Sequence, residues 1–92
     1  MLKPEFTGQF KKDYKLAKKR GCNPKNLEKV VSILCAEKPL PEKYKDHALH
    51  NSRQYKDMRE CHIEPDWLLV YKIHKDILTL QLIRTGSHSD LF

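Results

Sequence analysis

The chain has 92 residues, a net charge of +6, 39% hydrophobic and 33% charged residues, which is the size of one small domain and the composition of a folded one. No stretch approaches the ~20 apolar residues of a bilayer span. The opening Met1-Leu2-Lys3-Pro4-Glu5 has no apolar signal-peptide run, so the expected address is the cytoplasm, with no membrane partner. Three cysteines, Cys22, Cys35 and Cys61, are odd in number and widely spaced, which argues against a disulfide framework and against a cysteine zinc site and for buried or idle thiols.

Residues 1–7 read as a short extended segment, with Pro4 confining it to a sheet edge. From Gly8 to Arg20 the period is helical, with Phe10, Tyr14 and Ala17 on one face. Lys11, Lys15 and Lys18 run along a neighbouring stripe, and Gly21 is a helix stop. Only Asp13 opposes this charge locally. Asn23-Pro24 is a cap followed by proline at the first helical position. Leu27, Val30, Val31 and Leu34 then mark a second helix ending near Glu37, before Pro39 and Pro41. Residues 38–52 form a polar connection long enough to suggest a functional loop. Three strands follow: an imperfect alternation over Gln54–Ile63, a turn at Glu64-Pro65-Asp66, an apolar run over Trp67–His74, and an alternation over Ile77–Arg84. A short tail runs to Phe92. The expected fold is α+β, with a short N-terminal strand, a two-helix hairpin and an antiparallel sheet, one face covered by helices and the other left open. No boundary divides the chain, so residues 1–92 are read as one domain.

Charge divides along this layout. Residues 1–45 carry twelve basic and five acidic groups; residues 46–92 carry six and seven, together with all five histidines. A basic half suits a polyanionic or acidic partner, and a His-rich half suits proton chemistry or metal. Because neighbouring strands of the meander run oppositely, His62, Asp66, Trp67, Arg84 and His88 are expected at one end of the sheet, within reach of the loop that carries His47.

Such a cluster suits RNA cleavage. RNA supplies its own nucleophile, the 2′-hydroxyl, so an enzyme needs a base, an acid and a cation for the phosphate. His and Asp serve as acid and base near neutral pH, and the planar fork of Arg84 suits a phosphate. Trp67 or Phe92 offers a stacking surface for an unpaired base, or else a core residue and an anchor. This chemistry requires no metal or other cofactor. A zinc site from His47, His50, His62 and His88 is the chemical competitor, although the His47–His50 spacing matches no strong ligand motif.

Three segments carry a family resemblance: Tyr44-Lys45-Asp46-His47-Ala48-Leu49, His62-Ile63-Glu64-Pro65-Asp66-Trp67-Leu68-Leu69-Val70-Tyr71 and Arg84-Thr85-Gly86-Ser87-His88-Ser89-Asp90-Leu91-Phe92. In combination, over essentially the whole chain, they resemble the YafQ branch of the RelE-type toxins of bacterial type II toxin–antitoxin pairs. The resemblance implies a RelE-like fold and a ribosome-dependent endoribonuclease that cuts mRNA. It also implies a cognate antitoxin, with operator DNA bound only through the antitoxin complex. By position, His47, His62, Asp66 and His88 match the family's catalytic set, Arg84 its phosphate-binding arginine, and Trp67 and Phe92 its aromatics near the site. Asp66 and His88 are expected to transfer protons, His88 as the acid, while His47 and His62 assist. The sequence departs from the family at Asn51-Ser52, where a glycine is usual, and at Glu60, where Asp is common.

Two other readings of the same residues differ in class. One is a non-catalytic RNA- or ribosome-binding module built on the basic helices and aromatics, whose binding would be salt-sensitive without cleavage. The other is a protein-interaction domain whose lysine stripe meets an acidic helical partner.

Overall fold

The computed structural model describes residues 1–50 and 53–92; the Asn51-Ser52 departure lies outside them. In chain order the elements are β1 (Lys3–Phe6), α1 (Gly8–Lys19), α2 (Pro24–Cys35), β2 (His47–Ala48), β3 (Arg59–Glu64), β4 (Trp67–His74), β5 (Thr79–Gly86) and α3 (His88–Leu91). They form a five-stranded sheet in the order β1-β5-β4-β3-β2. Strands β3, β4 and β5 are the expected antiparallel meander. The sheet as a whole is mixed, because β1 pairs with β5 in parallel. A parallel pair needs a long crossover, which the intervening helices and strands provide.

Local chemistry sets the helix ends. Thr7 caps α1, accepting at Oγ1 from the Phe10 N–H (3.2 Å) while its hydroxyl donates to the Leu82 carbonyl (2.9 Å). One side chain thereby starts the helix and ties it to β5. Gly21, with φ +91°, turns the chain out of α1 in a conformation that favours glycine. Asn23 caps α2 through the Lys25 N–H, with Pro24 at the first helical position.

The main core lies between the helices and one face of the sheet. Phe10, Ala17, Leu27, Val30 and Leu34 meet Cys61, Ile63, Trp67, Leu69, Tyr71, Leu80 and Leu82 there. The helical faces read from the sequence are these faces, with Tyr14 and Val31 packed at their margins.

The other face is not left open, contrary to the sequence reading. Tyr55, Leu68, Val70 and Leu91 form a second apolar cluster on it, joined by Leu49, Met58 and Ile83. The segment expected to begin β3 instead makes turns, with Asp57 at φ 61°, and it folds Tyr55 under the sheet. Similarly β5 begins two residues later than expected, because Lys75–Ile77 is a 3₁₀ turn closed by Leu78 at φ 49°. The long connection is also partly ordered, containing a 3₁₀ turn at Glu42–Tyr44 and the two-residue β2. The tail contains α3, which brings Leu91 to the second cluster.

Candidate active site

Sheet register lays out the site. His47 of β2 is the cross-strand partner of Glu60, Glu60 of Val70, and Val70 of Arg84. The next row contains His62, Leu68 and Gly86, with His88 two residues beyond. Cross-strand partners and i, i+2 neighbours share a face, so His47, Glu60 and His62 share the face of Val70 and Leu68, opposite the main core.

Glu60 joins the two histidines. Its Oε1 lies 3.7 Å from Nε2 of His47 and 3.7 Å from Nε2 of His62, and its side chain is only 6% exposed. The Nδ1 atoms face backbone carbonyls, that of Lys45 at 2.7 Å from His47 and that of Pro65 at 3.3 Å from His62. A carbonyl only accepts, so each Nδ1 carries a proton and each Nε2 is the atom left to exchange one. The sequence offered a trace of Glu60's place, since it is two residues from His62 in a strand.

His47 is also held from behind by a network that the sequence reading missed. Asp46 accepts from Arg59 Nη2 at 2.9 Å and Nε at 3.4 Å, and from the Tyr71 hydroxyl. Burial and the neighbouring Asp46 carboxylate push the Tyr71 hydroxyl pKa upward. Next to it, burial pushes the Cys61 thiol up to about 12. That thiol therefore stays protonated and inert at neutral pH, and all three cysteines are free.

Arg84 is paired rather than waiting. Its Nε and Nη2 donate to the two Asp13 oxygens at 2.6 and 3.2 Å. Asp13 also accepts from the Thr85 N–H at 3.2 Å, at a stretch of β5 beyond the end of its pairing with β1. The carboxylate holds the guanidinium charged, its pKa raised chiefly by this hydrogen bond, with Tyr55 adding to it.

Asp66, in the β3–β4 turn, accepts from the His88 backbone N–H at 3.4 Å. The turn and α3 are thereby in contact at one end of the sheet. Phe92, half exposed, lies edge-on to Tyr55 and tilted against the His88 ring, with centroids 5.4 and 5.2 Å apart. Trp67 differs from its reading as a stacking platform. It is 1% exposed and stacks instead on Tyr14 within the main core, so no base reaches its face. Its Nε1 is buried without a hydrogen-bond partner among the described residues.

Lys11, Lys15 and Lys18 are exposed on α1, which packs on the opposite face of the sheet from the histidines. They form a separate basic surface, with Lys18 Nζ 4.7 Å above the Tyr14 ring. His50 is exposed, and His74 pairs with Gln81 at 3.1 Å. An open cleft of about 620 Å³ lies between α1, the β3–β4 turn and the start of α3, and Asp66, Trp67 and Arg84 line it together with Asp13, Arg20 and Asp90. Among the described residues, no group of three or more His, Cys, Asp and Glu is gathered to hold a metal ion.

Arg20 and Asp90 form an ion pair of 2.5 Å across one margin of this cleft. The hydrogen bond from Arg20, then that from the Ser87 backbone, lowers the Asp90 pKa from 3.8 to about 2. A carboxyl whose pKa falls on folding stabilises the fold above its unfolded pKa and loses that contribution as pH falls through the folded one. Solvent screens so exposed a pair, so the difference in thermal midpoint between wild type and Asp90→Asn is expected to be small, present in full above about pH 4 and fading as pH falls through about 2, as read by circular dichroism.

Comparisons with known proteins converge on one group. The family model described as the bacterial toxin of type II toxin–antitoxin system, YafQ, matches residues 2–92. The mRNA interferase toxin YafQ of Escherichia coli (strain B / BL21-DE3) is 44% identical over 89 residues, covering 96% of this chain and 92% of the relative. A metal-bound toxin from Helicobacter pylori superposes with a TM-score of 0.92 at 52% identity, over the whole of both chains. The E. coli DinJ–YafQ complex superposes with a TM-score of 0.87 at 42% identity, covering 100% of this chain and 99% of that one.

Proposed function

The chain belongs to the YafQ family of bacterial type II toxins and is an mRNA interferase, an endoribonuclease; we propose that it cuts translated mRNA on the ribosome by metal-independent acid–base chemistry and is neutralised in the cytoplasm by a cognate antitoxin. In the proposed reaction the 2′-oxygen loses its proton to a base and attacks the adjacent phosphorus. The P–O5′ bond breaks, and an acid protonates the leaving 5′-oxygen. Asp66 and His88 transfer the protons, His88 to the leaving oxygen. His47 and His62 assist through their Nε2 atoms, with the Glu60 carboxylate offsetting positive charge on either ring.

Arg84 holds the phosphate. Asp13 fixes the plane of its guanidinium, so less side-chain freedom is lost when the phosphate arrives. Phe92, backed by Tyr55, offers its half-exposed ring to an unpaired base. The lysines of α1 suit ribosomal RNA and an acidic antitoxin segment, and operator DNA is reached only through the antitoxin complex. The observation that carries this reading is the row register. It sets His62 in line with Gly86, two residues before His88, and sets Glu60 and His47 in line with Arg84.

Primer extension on a translated mRNA tests the proposal. Wild type is expected to give discrete cuts within the reading frame that vanish when the start codon is removed, and His62→Ala is expected to cut at least tenfold more slowly. Salt-sensitive ribosome binding with no cuts would instead establish the non-catalytic module.

A further inference from the structure

A four-residue helix has too few internal hydrogen bonds to hold itself, yet α3 carries His88 as its first residue. Something outside the helix must fix it. Its N-terminus is closed by a reciprocal cap: the Asp90 N–H donates to Ser87 Oγ at 3.2 Å, and the Ser87 N–H donates to Asp90 Oδ2 at 2.9 Å. The same Oδ2 accepts from Arg20 Nη1 at 2.5 Å. One carboxylate oxygen thus joins the beginning of α3 to a residue 70 positions earlier in the chain.

Both anchors of this oxygen are themselves held. The Arg20 backbone N–H closes α1, donating to the Leu16 and Ala17 carbonyls at 3.1 Å each. Gly86 leaves room for Asp90 to fold back, since a Cβ at residue 86 would lie 3.0 Å from Asp90 Oδ2 and 3.1 Å from its Cβ. The other end of α3 is seated by buried Leu91, whose carbonyl accepts from the Tyr55 hydroxyl at 3.2 Å.

We propose that Arg20 is a positioning residue for His88: through Asp90 it straps α3 to the end of α1 and fixes where the His88 imidazole stands for proton transfer. The proposal rests on the reading of His88 as a proton-transfer group. The Arg20 and Asp90 side chains are 49% and 29% exposed, so their ion pair adds little to global stability. Its effect falls on geometry, where a small misplacement caused by a distant change costs up to about 10²-fold in rate.

The test measures cleavage of ribosome-bound mRNA by full-length Arg20→Ala and Asp90→Ala, each made alone and in a His88→Ala background, with amide exchange read at Leu91 and Phe92. Each single change is expected to lower kcat about tenfold, to leave KM within twofold and to leave the thermal midpoint nearly unmoved. Neither should slow the His88→Ala protein further. Exchange at Leu91 and Phe92 should quicken in Arg20→Ala. An unchanged kcat, a rise in KM alone, or an equal loss in the His88→Ala background would overturn the proposal. If wild type cuts no RNA, the proposed function fails, and the strap is decided by exchange: unaltered protection at Leu91 and Phe92 overturns it.

Discussion

Replacing His88 with Ala is expected to slow cleavage of ribosome-bound mRNA by about 10²–10⁴-fold, the usual worth of a positioned acid or base, with little change in stability. The two effects separate because of where the side chain lies. His88 is exposed at the first position of α3, and the hydrogen bonds that hold this helix are made by the backbone and by Ser87, Asp90, Arg20, Asp66 and Tyr55 rather than by the imidazole. Truncating the imidazole therefore removes a proton carrier without opening a cavity. It does remove the contact with the Phe92 ring, 5.2 Å between centroids. Single-turnover kinetics together with a urea melt make the check. A large loss of stability, or a rate within threefold of wild type, would assign the acid role elsewhere.

Trp67→Ala should do the reverse, destabilising the fold by about 3–5 kcal/mol as large aromatic truncations in cores do. That is a large share of the ~5–15 kcal/mol typical of a small domain. Trp67 is 1% exposed and lies nearly parallel to Tyr14, ring centroids 6.4 Å apart, where α1 meets β4. Trp67→Phe separates packing from chemistry. It keeps most of the aromatic volume and deletes the one buried side-chain N–H without a partner among the described residues. Removing such an orphan relieves a desolvation penalty of about 1–3 kcal/mol, which offsets part of the volume lost. Urea unfolding should therefore place Trp67→Phe far closer to wild type than Trp67→Ala. Phe92→Ala should instead lose activity at nearly unaltered stability, since its ring is half exposed. If Trp67→Ala left stability intact and impaired only cleavage, the Trp67 ring would belong to the substrate after all.

The sequence was most legible where periodicity ran for several turns or a whole strand. The faces of α1 and α2 repeat every three to four residues, and β4 spans the same Trp67–His74 that its apolar run marks. Legibility failed where the backbone departs from its period. Leu78 continues the alternation of Leu80 and Leu82, but its left-handed conformation places it in a turn, 52% exposed. Tyr55 sits in a run that alternates imperfectly, and its turn buries it beneath the second face instead. Two residues of β2 are too few to show any period at all. For α3 a local sign did exist, since Ser87 and Asp90 have the spacing of a capping box.

The site divides along the same line. Strand connectivity brings the ends of β3 and β5 together and sets His62, Asp66 and His88 at one end of the sheet. Pairings between residues far apart in sequence, Arg84 with Asp13, Arg20 with Asp90, and Asp46 with Tyr71 and Arg59, leave no mark in spacing. They appear only once the helices are packed on the sheet.

The chemistry of the cut ends tests most directly whether these side chains turn the RNA's own 2′-hydroxyl on its phosphate. The chain, freed of any antitoxin, is to be mixed with ribosomes translating a defined mRNA, and the fragments examined by mass spectrometry. The predicted result is a 2′,3′-cyclic phosphate on one fragment and a 5′-hydroxyl on the other, with no cut where a 2′-deoxynucleotide replaces the nucleotide before the scissile bond. Ends bearing a 3′-hydroxyl and a 5′-phosphate, or undiminished cutting at the deoxynucleotide, would contradict it.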